Sequence, residues 1–344
     1  MVSPSLGLRY ISNKVWNATI KIPELKTTLP ATSSSFDVDQ VVAMVTDMFQ
    51  QHKGSLLIVT GAGVSTDSGI PDYRGNVRRI YLGDQFLTET NSHILISYVR
   101  NPNHRPILYH ELAASHNYRQ RYWSRSYLGW PKMSESLPNP THDILKKLVD
   151  HGYIQNIITQ NVDNLHTKAG TPDRHLLELH GTLYKVECMD CGDTSADRNL
   201  YQHRIHARNP SWKAMIGKGK INPDGDVELP KGASYDEFDI PPCLHCGSQK
   251  MKPKVVFFGE NIKPQVTDQA EKFIRDSSAV LVIGSSLATY SSYRLLRLAH
   301  QLHKPIGIVT KGPTRADSLM QWKGEVGCSP VLTMVFKNLI GFNS

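Results

Sequence analysis

Four short runs of branched apolar residues, SLLIVT (55–60), IQNIIT (154–159), AVLVIG (279–284) and PIGIVT (305–310), constrain this chain more than any other feature. None alternates apolar with polar residues. Each therefore reads as a strand buried on both faces, as in a parallel sheet covered by helices. Parallel neighbours need crossover connections, and segments of helical periodicity accompany the runs. One of them, FDVDQVVAMVTDMF (36–49), spaces Phe36, Val41, Met44, Val45 and Met48 for an amphipathic helix ahead of the first strand. The expected fold class is α/β, a Rossmann-like, doubly wound parallel sheet.

Small and polar residues take over where the runs end. After Thr60 comes GAGVSTDSGIPDYRG (61–75), which opens like a dinucleotide-binding turn with Gly61 and Gly63 but carries Thr66 where G-x-G-x-x-G needs its third glycine. Bare backbone N–H groups at a helix start, with Ser65 beside them, suit a diphosphate. The other strand ends bear TQNVDNLH (159–166), GSSLATY (284–290) and TKG (310–312). Ligands of open α/β sheets bind beyond the carboxyl ends of the strands, so one extended ligand across these ends is expected. A dehydrogenase is disfavoured, because no acidic residue stands about 20 positions downstream in a second strand to hold an adenine ribose.

Between the second and third runs lies a long excursion, 183–255, with CMDCG at 188 and CLHCG at 243. A two-residue spacer and a following glycine let Cys188 and Cys191, and likewise Cys243 and Cys246, turn both thiolates onto one ion. Four thiolates prefer zinc and leave no open coordination position, which makes the ion structural. The long separation of the two pairs is a weak objection, since loop closure costs grow only logarithmically. The excursion is read as a smaller zinc-binding module inserted into the sheet domain, which takes residues 34–182 and 256–340. Cys328 stands alone.

The formal charge of +8 is spread without a dense basic block, and DGDVEL and YDEFD make the cysteine excursion acidic. A nucleic-acid-binding zinc ribbon is therefore disfavoured. No apolar run reaches about 18 residues, which argues against a membrane-spanning helix. Residues 1–33 carry Arg9, Lys14, Lys21 and Lys26 against only Glu24, with many Ser and Thr, the composition of a mitochondrial transit segment.

GAGVSTDSGIPDYR, TQNVDNLH, LELHG, the paired CxxC knuckles, KPKVVFFGE and GSSL occur together in the order that resembles the sirtuins, NAD-dependent protein lysine deacylases, over residues 37–335. The resemblance implies NAD as co-substrate, one structural zinc and acyl-lysine proteins as partners. It implies that Gly61, Ala62, Gly63 and Ser65 lie against the pyrophosphate and its ribose. Asp72, Tyr73 and Arg74 would belong to a loop closing over nicotinamide, where no third glycine is needed. Gln160, Asn161 and Asp163 would hold the nicotinamide riboside half. Gly284, Ser285 and Ser286 would receive the adenosine side, helped by Thr310, Lys311, Gly312 and the backbone near Cys328.

His180 matches the family's general base, and an imidazole titrating near neutrality suits a proton transfer from a ribose hydroxyl. Asn161 and Asp163 join it in the catalytic set, while His166 reads as structural. VVFFGE (255–260), with Val256, Phe257 and Gly259, and GSSLATY would flank a substrate peptide as added strands. Tyr122 and Arg125 form a Y-x-x-R pattern that either packs or lines an acyl pocket, where a guanidinium fork matches a carboxylate. The segment around them resembles the mitochondrial, sirtuin-four-like branch of class II. That branch implies lipoamide and acidic-acyl removal in the mitochondrial matrix, with mono-ADP-ribosyl transfer on the same NAD site as the alternative.

Overall fold

The computed structural model describes residues 36–72, 107–219, 221–229 and 234–341. The proposed transit segment 1–33, and Tyr73 and Arg74 of the closing loop, lie outside the described residues. The amphipathic segment forms α1 (Val38–Gln51). Its start is fixed by a reciprocal pair: Gln40 N–H donates to the Asp37 carboxylate, and Asp37 N–H donates to the Gln40 side-chain oxygen.

The strands are β1 (Leu56–Thr60), β2 (Ile154–Thr159), β3 (Leu176–Glu178), β4 (Gly181–Cys188), β5 (Ala196–Asp197), β6 (Met251–Val255), β7 (Ala279–Ile283), β8 (Ile306–Val309) and β9 (Trp322–Gly324). The helices after α1 are α2 (Tyr109–Ala114), α3 (His116–Glu135), α4 (Pro140–Asp150), α5 (Leu165–Lys168), α6 (Arg198–Arg208), α7 (Pro264–Asp276), α8 (Tyr290–Gln301) and α9 (Cys328–Ile340). Six strands form one sheet in the order β3-β2-β1-β7-β8-β9, parallel at every pairing. All four apolar runs lie inside it.

The period of two along each strand divides its side chains between two cores. Leu56, Ile58, Leu281 and Ile283 point to one face, onto Val41, Val45 and Phe49 of α1, Leu145 and Leu148 of α4, and Val331 and Val335 of α9. Leu57, Val59, Val280 and Val282 point to the other, onto Ala270 and Ile274 of α7 and Leu295 and Leu296 of α8. Each such side chain stabilises the fold by about 1.5–3 kcal/mol relative to exposure. This is the doubly wound arrangement expected from the continuous runs.

The smaller unit is an antiparallel sheet, β5-β4-β6. Its strands run from Gly181 to Val255, two residues earlier at the start than the expected 183. Its core also draws on α3: Tyr122, Trp123 and Tyr127 pack with Val186, Tyr201, Ile205, Trp212, Phe238 and Ile240. One expectation needs correction. The strand is Met251–Val255 and not 255–260; after Val255 only Phe258 makes a single bridge, to Leu108. No helix among the described residues is long and apolar enough to cross a membrane.

Candidate active site

From β1 the chain moves to β2 and β3 on one side, then resumes with β7, β8 and β9 on the other. The reversal lies between β1 and β7, and such a switch point opens a crevice at the carboxyl ends of the strands. Gly61 and Gly63 stand there because nothing larger fits. Gly63 N–H donates to Gly284 O at 2.8 Å, and a Cβ on Gly63 would sit 2.8 Å from that oxygen. A Cβ on Gly61 would sit 2.7 Å from that of Ser285. The helix expected after the turn is absent: two short 3₁₀ turns, Ala62–Val64 and Thr66–Ser68, take its place, ended by Gly69 at φ 80°. With no long helix to pack on the sheet, position 66 does not need glycine.

Side chains from three strand ends then knit together. Asn161 Nδ2 donates to Gly61 O (3.1 Å) and Ser65 Oγ (3.0 Å), and Ser65 Oγ donates to Asp163 Oδ2 at 2.6 Å. Gln160 Nε2 donates to Thr60 O (3.1 Å) and Ser285 Oγ (2.7 Å). Burial raises the Asp163 carboxyl pKa, with the bonds from Ser65 and Leu165 N–H opposing it. Around the same edge, Thr310 N–H donates to Gly324 O, Lys311 and Gly312 follow it, and Arg315 N–H donates to Ser286 O. Ser329 Oγ donates to Asp67 Oδ2, tying the start of α9 at Cys328 to the turn after β1. Burial pushes the Cys328 thiol up to about 12, so it is inert at neutral pH. Asp72 closes the described part of the loop.

His180 sits between β3 and β4 and faces this edge. Its Nδ1 is 3.0 Å from Gln160 O and its Nε2 is 2.9 Å from Ser291 Oγ. Burial lowers its pKa, and the bond to the Gln160 carbonyl partly offsets that. Gly181 at φ 78° allows the tight turn behind it, where a Cβ would strike Lys254 O. Val256 N–H donates to His180 O at 2.9 Å, which brings Val256, Phe257 and Gly259 alongside the histidine. His166 behaves as structural: its Nε2 meets Thr60 Oγ1 at 3.0 Å and its ring packs on that of His142.

Tyr122 packs edge-on against Phe257 with centroids 5.3 Å apart, which ties α3 to the segment beside His180. Arg125 departs from the expected open fork. Its Nε donates to Asp226 Oδ2 (2.7 Å), and Nη1 and Nη2 donate to Glu228 Oε2 (3.1 Å) and Oε1 (2.8 Å). Burial alone would lower the guanidinium pKa, but these carboxylates outweigh it and hold the group charged. Asp226 and Glu228 belong to the acidic stretch DGDVEL, but their pairing with Arg125, like that of Ser291 with His180, is seen only in the folded chain.

The four cysteine sulfurs lie within 4.8 Å of one another. Cys188 and Cys246 are 3.6 Å apart, and Cys191 and Cys243 are 3.8 Å apart. Tetrahedral zinc–thiolate bonds of ~2.3 Å separate sulfurs by ~3.8 Å, whereas a disulfide needs ~2 Å. The donor set fits one structural zinc. Gly192 and Gly247, at φ 73° and 75°, make the knuckle turns. The length of β4, ~23 Å at a strand's rise, separates this cluster from His180.

The Sir2 family model matches residues 61–291. The chain is 40% identical over 306 residues to NAD-dependent protein deacylase SIR4 of Batrachochytrium dendrobatidis, covering 86% of this chain and 93% of that protein. It is 39% identical over 280 residues to NAD-dependent protein lipoamidase sirtuin-4, mitochondrial, of Homo sapiens, covering 81% of each. Among solved structures, a Sir2 complex with a p53 peptide and NAD+ superposes with a TM-score of 0.61 at 23% identity, over 86% of this chain and 97% of that one. By the matched residues and these relatives, the chain belongs to the Sir2 family, the sirtuins.

Proposed function

We propose that this sirtuin is an NAD-dependent protein lysine deacylase of the lipoamidase and acidic-acyl type, which passes the acyl group to ADP-ribose and releases nicotinamide. One observation carries the reading: His180 is anchored at Nδ1 by the carbonyl of Gln160, at the strand ends that flank the switch point. When bound, NAD supplies an electrophilic ribose carbon and the acyl acceptor. Gly61, Ala62, Gly63 and Ser65 offer close backbone approach to its diphosphate. Gln160, Asn161 and Asp163 hold the nicotinamide ribose half, and Asp72 contributes to it from the segment after β1. Gly284, Ser285, Ser286, Thr310, Lys311, Gly312 and Cys328 frame the adenosine half. His180 accepts the ribose proton at Nε2, and Val256, Phe257 and Gly259 take the substrate backbone.

Tyr122 and Arg125 form the acyl pocket in this reading. An acidic acyl group reaches Arg125 by displacing Glu228, whose side chain is 37% exposed, and not Asp226 at 9%. A neutral lipoyl chain needs no such exchange. The human and bovine relatives named as mitochondrial lipoamidases support this acyl class and a mitochondrial location. Residues 1–33 are then the transit segment that delivers the chain to the matrix. Residues 34–182 and 256–340 are the catalytic domain, and 183–255 the zinc module.

The test is incubation of residues 34–344 with NAD and acetyl-, succinyl-, glutaryl-, methylglutaryl- and lipoyl-lysine peptides, following nicotinamide and O-acyl-ADP-ribose by mass spectrometry. Lipoyl or acidic acyl product, lost in His180→Ala, is the expected result. Nicotinamide release with ADP-ribose on protein and no acyl product would overturn the reading.

A further inference from the structure

Both ring nitrogens of His180 are engaged. Gln160 O can only accept, so in the neutral ring Nδ1 carries the proton and Nε2 holds the lone pair. Ser291 Oγ, 2.9 Å from Nε2, is then the donor. Ser291 stands in the first turn of α8, and its hydroxyl has a second partner, Thr289 Oγ1 at 3.2 Å, which itself lies 2.8 Å from Ser292 Oγ. Whatever hydroxyl gives its proton to His180 must reach the nitrogen that Ser291 holds.

We infer that Ser291 is a positioning residue for the general base, fixing the His180 ring through Nε2 and turning its O–H to Thr289 when a proton arrives there. In that step the O–H bond of the substrate hydroxyl breaks and an N–H bond forms at Nε2. Ser291 loses no proton; its oxygen changes from donor to acceptor. A bond from imidazolium to hydroxyl is stronger than the neutral bond it replaces, so Ser291 favours the protonated ring against burial. Among the titratable side chains nearby, Glu178 on β3 is acted on by Asp163 after β2, Lys185 on β4, Lys254 on β6 and Asp173.

The first test needs no NAD. In ligand-free protein with ¹⁵N-labelled histidine, the His180 signals, assigned by their loss in His180→Gln, are titrated in the wild type, Ser291→Ala and Ser291→Thr. The wild type shows the Nδ1–H tautomer. Ser291→Ala lowers the midpoint by about 0.5–1 pH units, with Gln160 still holding the proton on Nδ1, and Ser291→Thr restores the midpoint. The kinetic arm rests on the deacylase reading. There Ser291→Ala lowers kcat about ten-fold, leaves KM for NAD within two-fold, and moves the acid limb of kcat/KM down in parallel. A titration midpoint unchanged in Ser291→Ala would overturn the inference. Should Ser291→Ala not fold, Thr289→Val keeps the Ser291 donor but removes its second partner, and an unchanged His180 titration in that variant overturns it equally. A wild type inactive on every peptide would sink the deacylase reading instead, with the titration still deciding the role of Ser291.

Discussion

The Ser65 hydroxyl donates to Asp163 Oδ2 at 2.6 Å and so fastens the turn after β1 to the loop after β2. Both side chains are buried, and the carboxylate has few other donors within the protein. Ser65→Ala leaves a buried acceptor short of its partner, a loss of about 1–3 kcal/mol. NAD binding, measured by calorimetry, is expected to weaken about ten-fold or more while the two sheets remain folded. Unchanged affinity would separate this hydrogen bond from the cofactor site.

Gly63 makes a sharper demand, because its clash partner is backbone. The Gly284 carbonyl, 2.8 Å from where a Cβ would sit, belongs to the end of β7 and cannot swing away. Gly63→Ala is expected to lower thermal stability by roughly 1–3 kcal/mol and to abolish detectable NAD binding. A variant with native melting temperature and native affinity would show that the two strand ends separate more freely than the structure indicates.

The zinc cluster staples an antiparallel sheet that is only three strands wide. Chelation, or Cys243→Ser, is expected to remove one zinc per chain and to speed amide exchange in β4, β5 and β6, while β1, β2, β7 and β8 stay protected. Zinc release read with a colorimetric chelator, combined with hydrogen exchange by mass spectrometry, separates the two regions. Loss of protection across the six-stranded sheet at the same chelator concentration would contradict a local role.

The parts of the molecule differ in how legible they are in the sequence, and the physics of each part is the reason. The central strands are continuous branched apolar runs, and burial on both faces leaves no other reading. β3 and β9 are three residues each, too short to carry a period, and β3 hides in the lead-in to His180. The knuckles are legible because metal geometry dictates a local spacing. The partners of Arg125 are not, since Asp226 and Glu228 arrive from 101 and 103 residues away, and Ser291 meets His180 across 111. Hydrogen bonds of that reach leave no periodic trace in a single sequence.

Glu228 pairs with both terminal nitrogens of Arg125, and in the acyl-pocket proposal an acidic acyl group would have to displace it. Glu228→Gln weakens the bidentate pair, so turnover of glutaryl- or methylglutaryl-lysine should rise several-fold relative to lipoyl-lysine. Asp226→Asn should instead cost about 3–5 kcal/mol of stability, because it strips a buried charge of its closest partner. Competition assays with paired peptides read the first effect and urea denaturation the second. An acidic-to-lipoyl ratio that does not move in Glu228→Gln would remove Arg125 from the acyl pocket.

His142 and His166 lie buried face to edge with ring centroids 5.0 Å apart, and burial lowers their pKa values to about 4 and about 3. An unfolded histidine titrates near ~6.5, so below that pH the unfolded chain binds protons that the folded chain refuses. The stability held by these neutral rings is complete above pH ~6.5 and is lost as the pH falls, by up to about 1.4 kcal/mol per pH unit for each ring. His142→Phe keeps a ring in the packed pair and removes one titration. Between pH 7 and 5, urea denaturation should show the variant losing less stability than the wild type by one ring's share, since His180, lowered by burial, and Glu178, raised to about 7 and acting with the opposite sign, contribute equally to both proteins. Equal slopes in the two proteins would place the acid sensitivity elsewhere in the chain.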